Sequence, residues 1–325
     1  MHAMENPFYK NYDTQFEIPP FAEIEEKHIM PAFLKGMEEH NDEINQIIVN
    51  SDKPSFDNVI VAMERSGVLL DKVSDVFFNL SGSTTNNKLQ DIEKEISPRL
   101  SAHYDSISLN PNIFKKVSLL WEEVDSLELS REERRILEET YKGFIRSGAL
   151  LKGRDKDRYS NINQEISKLS VQFSQNLLAE TNNFEIILNK DDLNGLPDDI
   201  VILAKEEADN KYKKTSDIKY KNKFIFTSHR SSMYPFLTYS ESRDLREKLY
   251  NGYIMRGDNN NEYDNKNITA KIASLRVEKA NILGFDTHAH YVLDNTMAKT
   301  PDAVYELLNQ LWKPALNRAK DELQE

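Results

Sequence analysis

Residues 236–312 read FLTYSESRDLREKLYNGYIMRGDNNNEYDNKNITAKIASLRVEKANILGFDTHAHYVLDNTMAKTPDAVYELLNQLW, and this stretch decides the fold. It predicts three helices with their punctuation. Leu245, Leu249 and Tyr253 share one face of the first, and Ile268, Ile272 and Leu275 one face of the second. Gly284 marks where the second stops, because glycine takes the left-handed C′ position without a Cβ penalty. Thr300-Pro301 opens the third, with a hydroxyl to cap it and a proline at the first helical position, where no amide hydrogen is needed.

The same spacing runs upstream. Helices are expected from about Ile29 to Val49 and from about Asp57 to Leu80. The second carries Val59, Met63, Ser66, Leu70, Val73 and Phe77 inward and is broken by Ser81-Gly82-Ser83. Leu89, Ile92, Ile96, Leu100 and His103 form the next stripe, with Pro98 expected to kink it and Asn110-Pro111 to end it. Ser130-Arg131-Glu132-Glu133 is a capping box, with the serine oxygen taking an orphan amide hydrogen and Glu133 reaching back. It starts a helix through Leu137, Tyr141 and Phe144. A basic loop from Lys152 to Arg158 then leads to another carrying Ile162, Ile166, Leu169, Phe173 and Leu177, the two making a long antiparallel pair.

Two short runs break the helical texture. Phe184 to Leu188 is β-branched, and Ile218 to Thr227 alternates aromatic with lysine. The chain is therefore expected to be all-α with one small antiparallel β patch. Its segments are an extended arm over 1–23 held straight by Pro7, Pro19 and Pro20, a region of long antiparallel helices over 24–183, the β patch with a short helix over 184–239, and a further helical region over 240–325. The last helix keeps its apolar spacing almost to Glu325 without a stop signal, which predicts a chain that continues.

Composition narrows the function. Of 325 residues, 39% are apolar and 30% charged, the balance of a folded globular chain. Forty-two basic against 54 acidic residues give −12, a surface that repels phosphate backbones, so no nucleic-acid partner is expected. No apolar run approaches membrane-spanning length. There is no cysteine, which excludes disulfides and thiol catalysis. A cytoplasmic location fits, or a periplasmic one if a leader has been trimmed, since Met1-His2-Ala3-Met4 is not itself a leader.

The residues by themselves designate no catalytic, substrate-binding or metal-ligating side chain. His288-Ala289-His290 would chelate on a strand, but Thr287 reads as the N-cap of a helix to Met297, on which the two rings point about 200° apart. Ser228-His229-Arg230-Ser231-Ser232 reads as a polar loop, because nucleophile and base meet in space and not along the chain. His28, His40 and His103 each stand alone on helical stretches. Asp258 to Asn265 lacks the central glycine and closing glutamate of a calcium loop and reads as solvated. Ten glycines include no phosphate cradle.

Several clusters nevertheless resemble the thimet-oligopeptidase-like zinc metallopeptidases, most of all the peptidyl-dipeptidase branch. They are Leu245-Arg246-Glu247-Lys248-Leu249-Tyr250, Asn259 to Asn265, Glu278-Lys279-Ala280, Leu283-Gly284-Phe285, and His288-Ala289-His290-Tyr291 through Met297-Ala298-Lys299-Thr300-Pro301. Upstream, Ile18-Pro19-Pro20-Phe21, Phe56-Asp57-Asn58 and Gln172-Phe173-Ser174-Gln175-Asn176 extend the likeness. The resemblance implies the N-terminal part of a two-lobed helical enzyme around a narrow channel, cut before the zinc-binding catalytic part. In that family zinc is held by a His-Glu-x-x-His helix and a later glutamate, and its substrates are short peptides. No His-Glu-x-x-His occurs in these residues, so the chain alone is expected to be inactive and to bind no zinc. Its expected partners are short peptides and the missing catalytic part, and the uncovered apolar surface is expected to self-associate. The resemblance also leaves an oligopeptidase that cuts internally. A helical peptide-binding module without chemistry is a reading from another class.

Overall fold

The computed structural model describes residues 6–325, which are overwhelmingly helical with a single two-stranded antiparallel sheet. The chain divides into two compact units, one running to Lys168 and resuming over Ala273–Glu325, the other Leu169–Ile272.

The first unit begins with the proline-rich arm. Residues 1–5 of the expected arm lie outside the described residues; from Asn6 on it is extended apart from two short 3-10 turns at Pro7–Tyr9 and Gln15–Glu17 and a hydrogen-bonded turn over 21–23, and Asn6 caps the first 3-10 turn. Phe8 is buried in the core, whereas Phe16 is 84% exposed, so one aromatic side chain does most of the anchoring. Helices α1 (Glu26–Val49), α3 (Val68–Ser83) and α4 (Asn87–Ser108) bury Ile29, Phe33, Leu70, Phe77 and Ile96 together with it. The Phe33 and Phe77 rings meet edge to face at 5.4 Å. A second core cluster joins the end of α1 to α5 (Pro111–Glu122) and α6 (Arg131–Arg146) through Ile44, Ile113, Val117, Leu137 and Phe144. The Ser130–Glu133 capping box starts α6 as the sequence predicts, and Thr300 and Pro301 start α13 (Pro301–Gln324).

The expected helix over 57–80 is not one element. It opens as a π-helical turn, Phe56–Val61, passes into α2 (Ala62–Glu64), and breaks at Gly67, whose φ is +79°. The glycine permits the left-handed turn, and the Glu43 carboxylate takes its N–H at 2.7 Å. The apolar stripe still faces inward, with Val59, Leu70, Val73 and Phe77 all buried. Helix α3 ends at Ser83, the last residue of the expected Ser81-Gly82-Ser83 break, and α4 runs on through Pro98. Helix α4 ends at Ser108, just before Asn110-Pro111, and the same pair also caps and opens α5, the cap-and-proline signal seen again at Thr300-Pro301. The basic segment after Lys152 is already helical, since α7 spans Gly153–Asn183.

The second unit holds the sheet. Strands β1 (Glu185–Leu188) and β2 (Phe224–Thr227) pair antiparallel, Glu185 opposite Thr227 and Leu188 opposite Phe224. Ile218–Tyr220 is a 3-10 turn, not strand. Helices α8 (Asp198–Thr215), α9 (Arg230–Tyr239) and α10 (Arg243–Ile254) cover the sheet around Ile186, Phe226, Phe236 and Leu249. Helix α8, expected as a short helix, runs for 18 residues. Helix α9 occupies what the polar residues suggested was loop, because Met233 and Phe236 give it a buried face. Helix α11 (Lys266–Ile282) ends at Gly284, whose φ is +85°. Helix α12 spans His288–Leu293 and stops short of the expected Met297, which is fully exposed and has no apolar surface to bind it.

Candidate functional site

In the second unit, the asparagine-rich loop surrounds one carboxylate. Glu180, in the last turn of α7, is 6% exposed. It accepts the Gly257 N–H and the side-chain amides of Asn259, at 3.0 and 3.1 Å, and Asn261. Burial alone would raise its pKa, but these donors outweigh burial and hold it below the ordinary value. Asn265 closes the loop. Its N–H reaches Gly257 O at 2.7 Å, its amide donates to Phe173 O at 3.0 Å, and its side-chain oxygen accepts from Asn176 at 3.0 Å. The expected solvated loop is therefore an anchored one. Spacing could not find this, because the organising carboxylate lies far upstream. Asp258 and Asp264 are both engaged by Lys266, so the loop does not offer a free acidic cage to a cation.

The first unit contains a cavity of about 440 Å³ with titratable walls. Asp105 on α4 is 8% exposed. Its Oδ1 accepts from the Asn163 amide at 2.9 Å, while Oδ2 is shut off from solvent without a hydrogen bond. Burial pushes its pKa up, against the pull of Asn163, Ser160 and the Lys279 charge. Lys279 on α11 has its pKa pushed down by burial and is raised in part by Asp105. Its ammonium lies 5.0 Å from the Tyr159 ring centroid and 5.8 Å from that of Tyr291. Beside it Arg158 grips Glu278 with two bonds of 2.6 Å. Arg146 steadies the α12 side by donating to Tyr291 O at 2.8 Å and pairing with Asp294.

His40 and His103, expected to stand alone, meet here: His40 Nδ1 and His103 Nε2 are 3.0 Å apart. Burial lowers the pKa of both, that of His103 to about 4, so at neutral pH one uncharged ring donates to the other. They sit on α1 and α4, whose packing is a long-range contact that neither local stripe announces.

The remaining sequence candidates are dispersed. Thr287 caps α12 by accepting the His290 N–H at 3.3 Å, and its hydroxyl is 2.8 Å from the His290 ring. His288 packs toward Tyr291, and its buried Nδ1 has no hydrogen-bond partner among the described residues. Ser228 donates to Thr181 O at 3.1 Å. His229, the N-cap of α9, is bonded to Thr227 and Asn182 and not to Ser228. These two therefore form no nucleophile–base pair. His28 accepts the Glu25 N–H at 3.0 Å within the α1 capping box. Among the described residues no three His, Cys, Asp or Glu side chains cluster as metal ligands, so the zinc that the resemblance implies finds no ligand set here. Among the described residues no helix is long and apolar enough to cross a membrane.

Residues 236–325 match the sequence model of peptidase family M3. Over almost its full length the chain is similar to a dipeptidyl carboxypeptidase of Escherichia coli (strain K12), 32% identical over 319 residues, which cover 98% of this chain and 46% of that protein. A dipeptidyl carboxypeptidase of Salmonella typhimurium is 29% identical over 318 residues, again 98% and 46%. Oligopeptidase A of Haemophilus influenzae is 29% identical over 315 residues, 95% and 45%. The resemblance to the M3 metallopeptidases thus extends well beyond the family match, and the chain spans about half the length of the curated relatives it matches.

Proposed function

We propose that this chain is the N-terminal, non-catalytic portion of a zinc-dependent peptidyl-dipeptidase of family M3, one that hydrolyses short peptides and releases C-terminal dipeptides. The observation that carries the reading is the 32% identity with a dipeptidyl carboxypeptidase along 98% of the chain. Oligopeptidase A relatives at up to 29% identity support a second reading, an oligopeptidase that cuts internally. In either case the zinc and its ligands belong to the part of the protein outside these residues. The metal would supply a Lewis acid that lowers the pKa of its bound water. What this chain contributes is one wall of the peptide channel, in a protein we assign to the cytoplasm.

The two activities separate on one substrate feature. Releasing a dipeptide requires a donor that holds the terminal carboxylate two residues past the scissile bond. Amidating the substrate's C-terminus removes that carboxylate and leaves the scissile bond intact. The whole protein is expected to lose most of its activity on the amidated peptide and all of it in a chelator. Equal cleavage of amide and free acid overturns the dipeptidase reading in favour of the oligopeptidase. Activity that survives the chelator overturns the metallopeptidase reading altogether.

Helix α13 bears on the remainder of the protein. Leu308, Leu311 and Trp312 are 52%, 56% and 69% exposed, and the helix buries none of its residues. We assign this face to packing against the catalytic portion, and in the isolated chain to a second copy, as exposed apolar patches drive association. Sedimentation of the 325-residue chain is expected to show concentration-dependent association that Leu311→Glu weakens. A monomer at every concentration contradicts the assignment.

A further inference from the structure

Helix α13 carries more apolar surface than one neighbour can cover. Tyr305, Trp312, Leu316 and Leu323 recur at steps of seven, four and seven residues and share one side. Leu307 stands nine residues before Leu316, about two and a half turns, and so points to the opposite side, with Leu311 one turn beyond it. All six are exposed, by 41% to 87%. With Leu308 between them they span about half the helix circumference, where a helix lying on a single core needs a stripe of about 100°. Glu306, Gln310, Lys313 and Asn317 make up the polar remainder.

The turn leading into α13 presents a further apolar group. Met297 is fully exposed, yet the turn that carries it is fixed. Thr296 gives its N–H and its hydroxyl to Leu293 O, each at 2.9 Å, and the Thr300 N–H reaches Ala298 O at 2.7 Å. Lys299 holds a left-handed φ of +63°, which non-glycine residues rarely adopt. Four residues of chain keep Met297 within about 14 Å of Pro301, so it adjoins the apolar surface of α13. A flexible thioether on a fixed turn is suited to filling a pocket in a partner.

We infer that the remainder of the protein clasps α13 between two apolar elements, one against Tyr305, Trp312 and Leu316 and the other against Leu307 and Leu311, and takes Met297 in an apolar socket. The inference rests on the reading of this chain as part of a longer peptidase, and it turns a surface helix into an interior one. The dipeptidyl carboxypeptidase that the chain resembles extends well beyond the 46% matched here, which leaves ample chain for both elements. A second copy related by a two-fold axis sets the same face on both partners, and so covers one side and not two.

Hydroxyl-radical footprinting read by mass spectrometry compares the whole protein with the 325-residue chain, held dilute enough to be monomeric. Met297, Leu307 and Leu316 are each expected to react at least about tenfold more slowly in the whole protein, as groups shut off from water do. Leu307 or Leu316 reacting equally fast in both overturns the two-sided clasp, and an equally reactive Met297 overturns the socket. Protection that the concentrated chain gains and the whole protein lacks assigns the surface to a second copy and overturns the proposal. Met297→Glu is expected to lower the melting temperature of the whole protein and to leave that of the isolated chain unchanged. No change in either overturns the socket, and the footprint on unaltered protein decides the matter if the variant does not fold. None of these measurements needs activity. A protected α13 in a protein whose cleavage survives a chelator fails the metallopeptidase reading alone. An exposed α13 in a chelator-sensitive peptidase fails this inference alone.

Discussion

Glu180 in the second unit and Asp105 in the first are buried to nearly the same depth, 6% and 8% exposed, yet their surroundings push them in opposite directions. Glu180 meets a backbone N–H and two side-chain amides, all supplied by one loop, and its pKa falls. Asp105 meets one amide at one oxygen, and its pKa rises. Depth of burial therefore does not decide what a buried carboxylate is for. A satisfied one fixes a loop; one with an oxygen left without a hydrogen bond costs stability.

The largest expected effect tests the satisfied member. Glu180→Ala leaves the Gly257 N–H and the Asn259 and Asn261 amides without their acceptor. A loss of about 3 kcal/mol is expected, from several buried donors left unpaired at about 1–3 kcal/mol each. Denaturant titration followed by a probe in the second unit measures it. A loss below about 1 kcal/mol would mean that the loop holds itself and that Glu180 is dispensable.

The smaller effect concerns Asp105, and its sign is the point. A carboxyl whose pKa is higher in the folded than in the unfolded state favours folding only while protonated. That contribution is present below the ordinary carboxylate pKa and is lost as pH rises through the raised one. At neutral pH the ionised group is therefore a burden. Asp105→Asn, which keeps an oxygen for Asn163, is expected to leave stability unchanged or to raise it by up to about 1 kcal/mol, solvent in the cavity keeping the gain small. The gain should fade as the pH falls to about 3, where the parent group is itself protonated. Thermal melts of parent and variant at both pH values read this. A variant clearly less stable at neutral pH would put Asp105 in the same class as Glu180 and end the contrast.

What was legible in the sequence was local. Stripes at three- and four-residue spacing placed Leu70, Val73, Phe77, Leu249 and Leu275 in cores, because a helix face is set by its own periodicity. Ser130, Thr287, Thr300 and Gly284 marked helix ends, because capping is an interaction over three or four residues. The same signals were misread where two compete. At Asn110-Pro111 a turn signal was also a helix start, and at Gly67 apolar spacing that continues on both sides concealed a break in the helix.

The two buried carboxylates were invisible for a different reason. Glu180 and its asparagines lie nearly eighty residues apart, and His40 and His103 sixty-three. Asp105 reads as one more charge on a helical stretch, and Lys279 as one more lysine in a family-like cluster. A hydrogen bond depends on separation in space, and separation along the chain says nothing of it until the helices have packed. The sequence by itself determined a helical protein, its helix faces and ends, and its likeness to the M3 peptidases. Tertiary packing alone decided which polar side chains were satisfied and which were left open, because burial removes water as a partner and only the fold provides another.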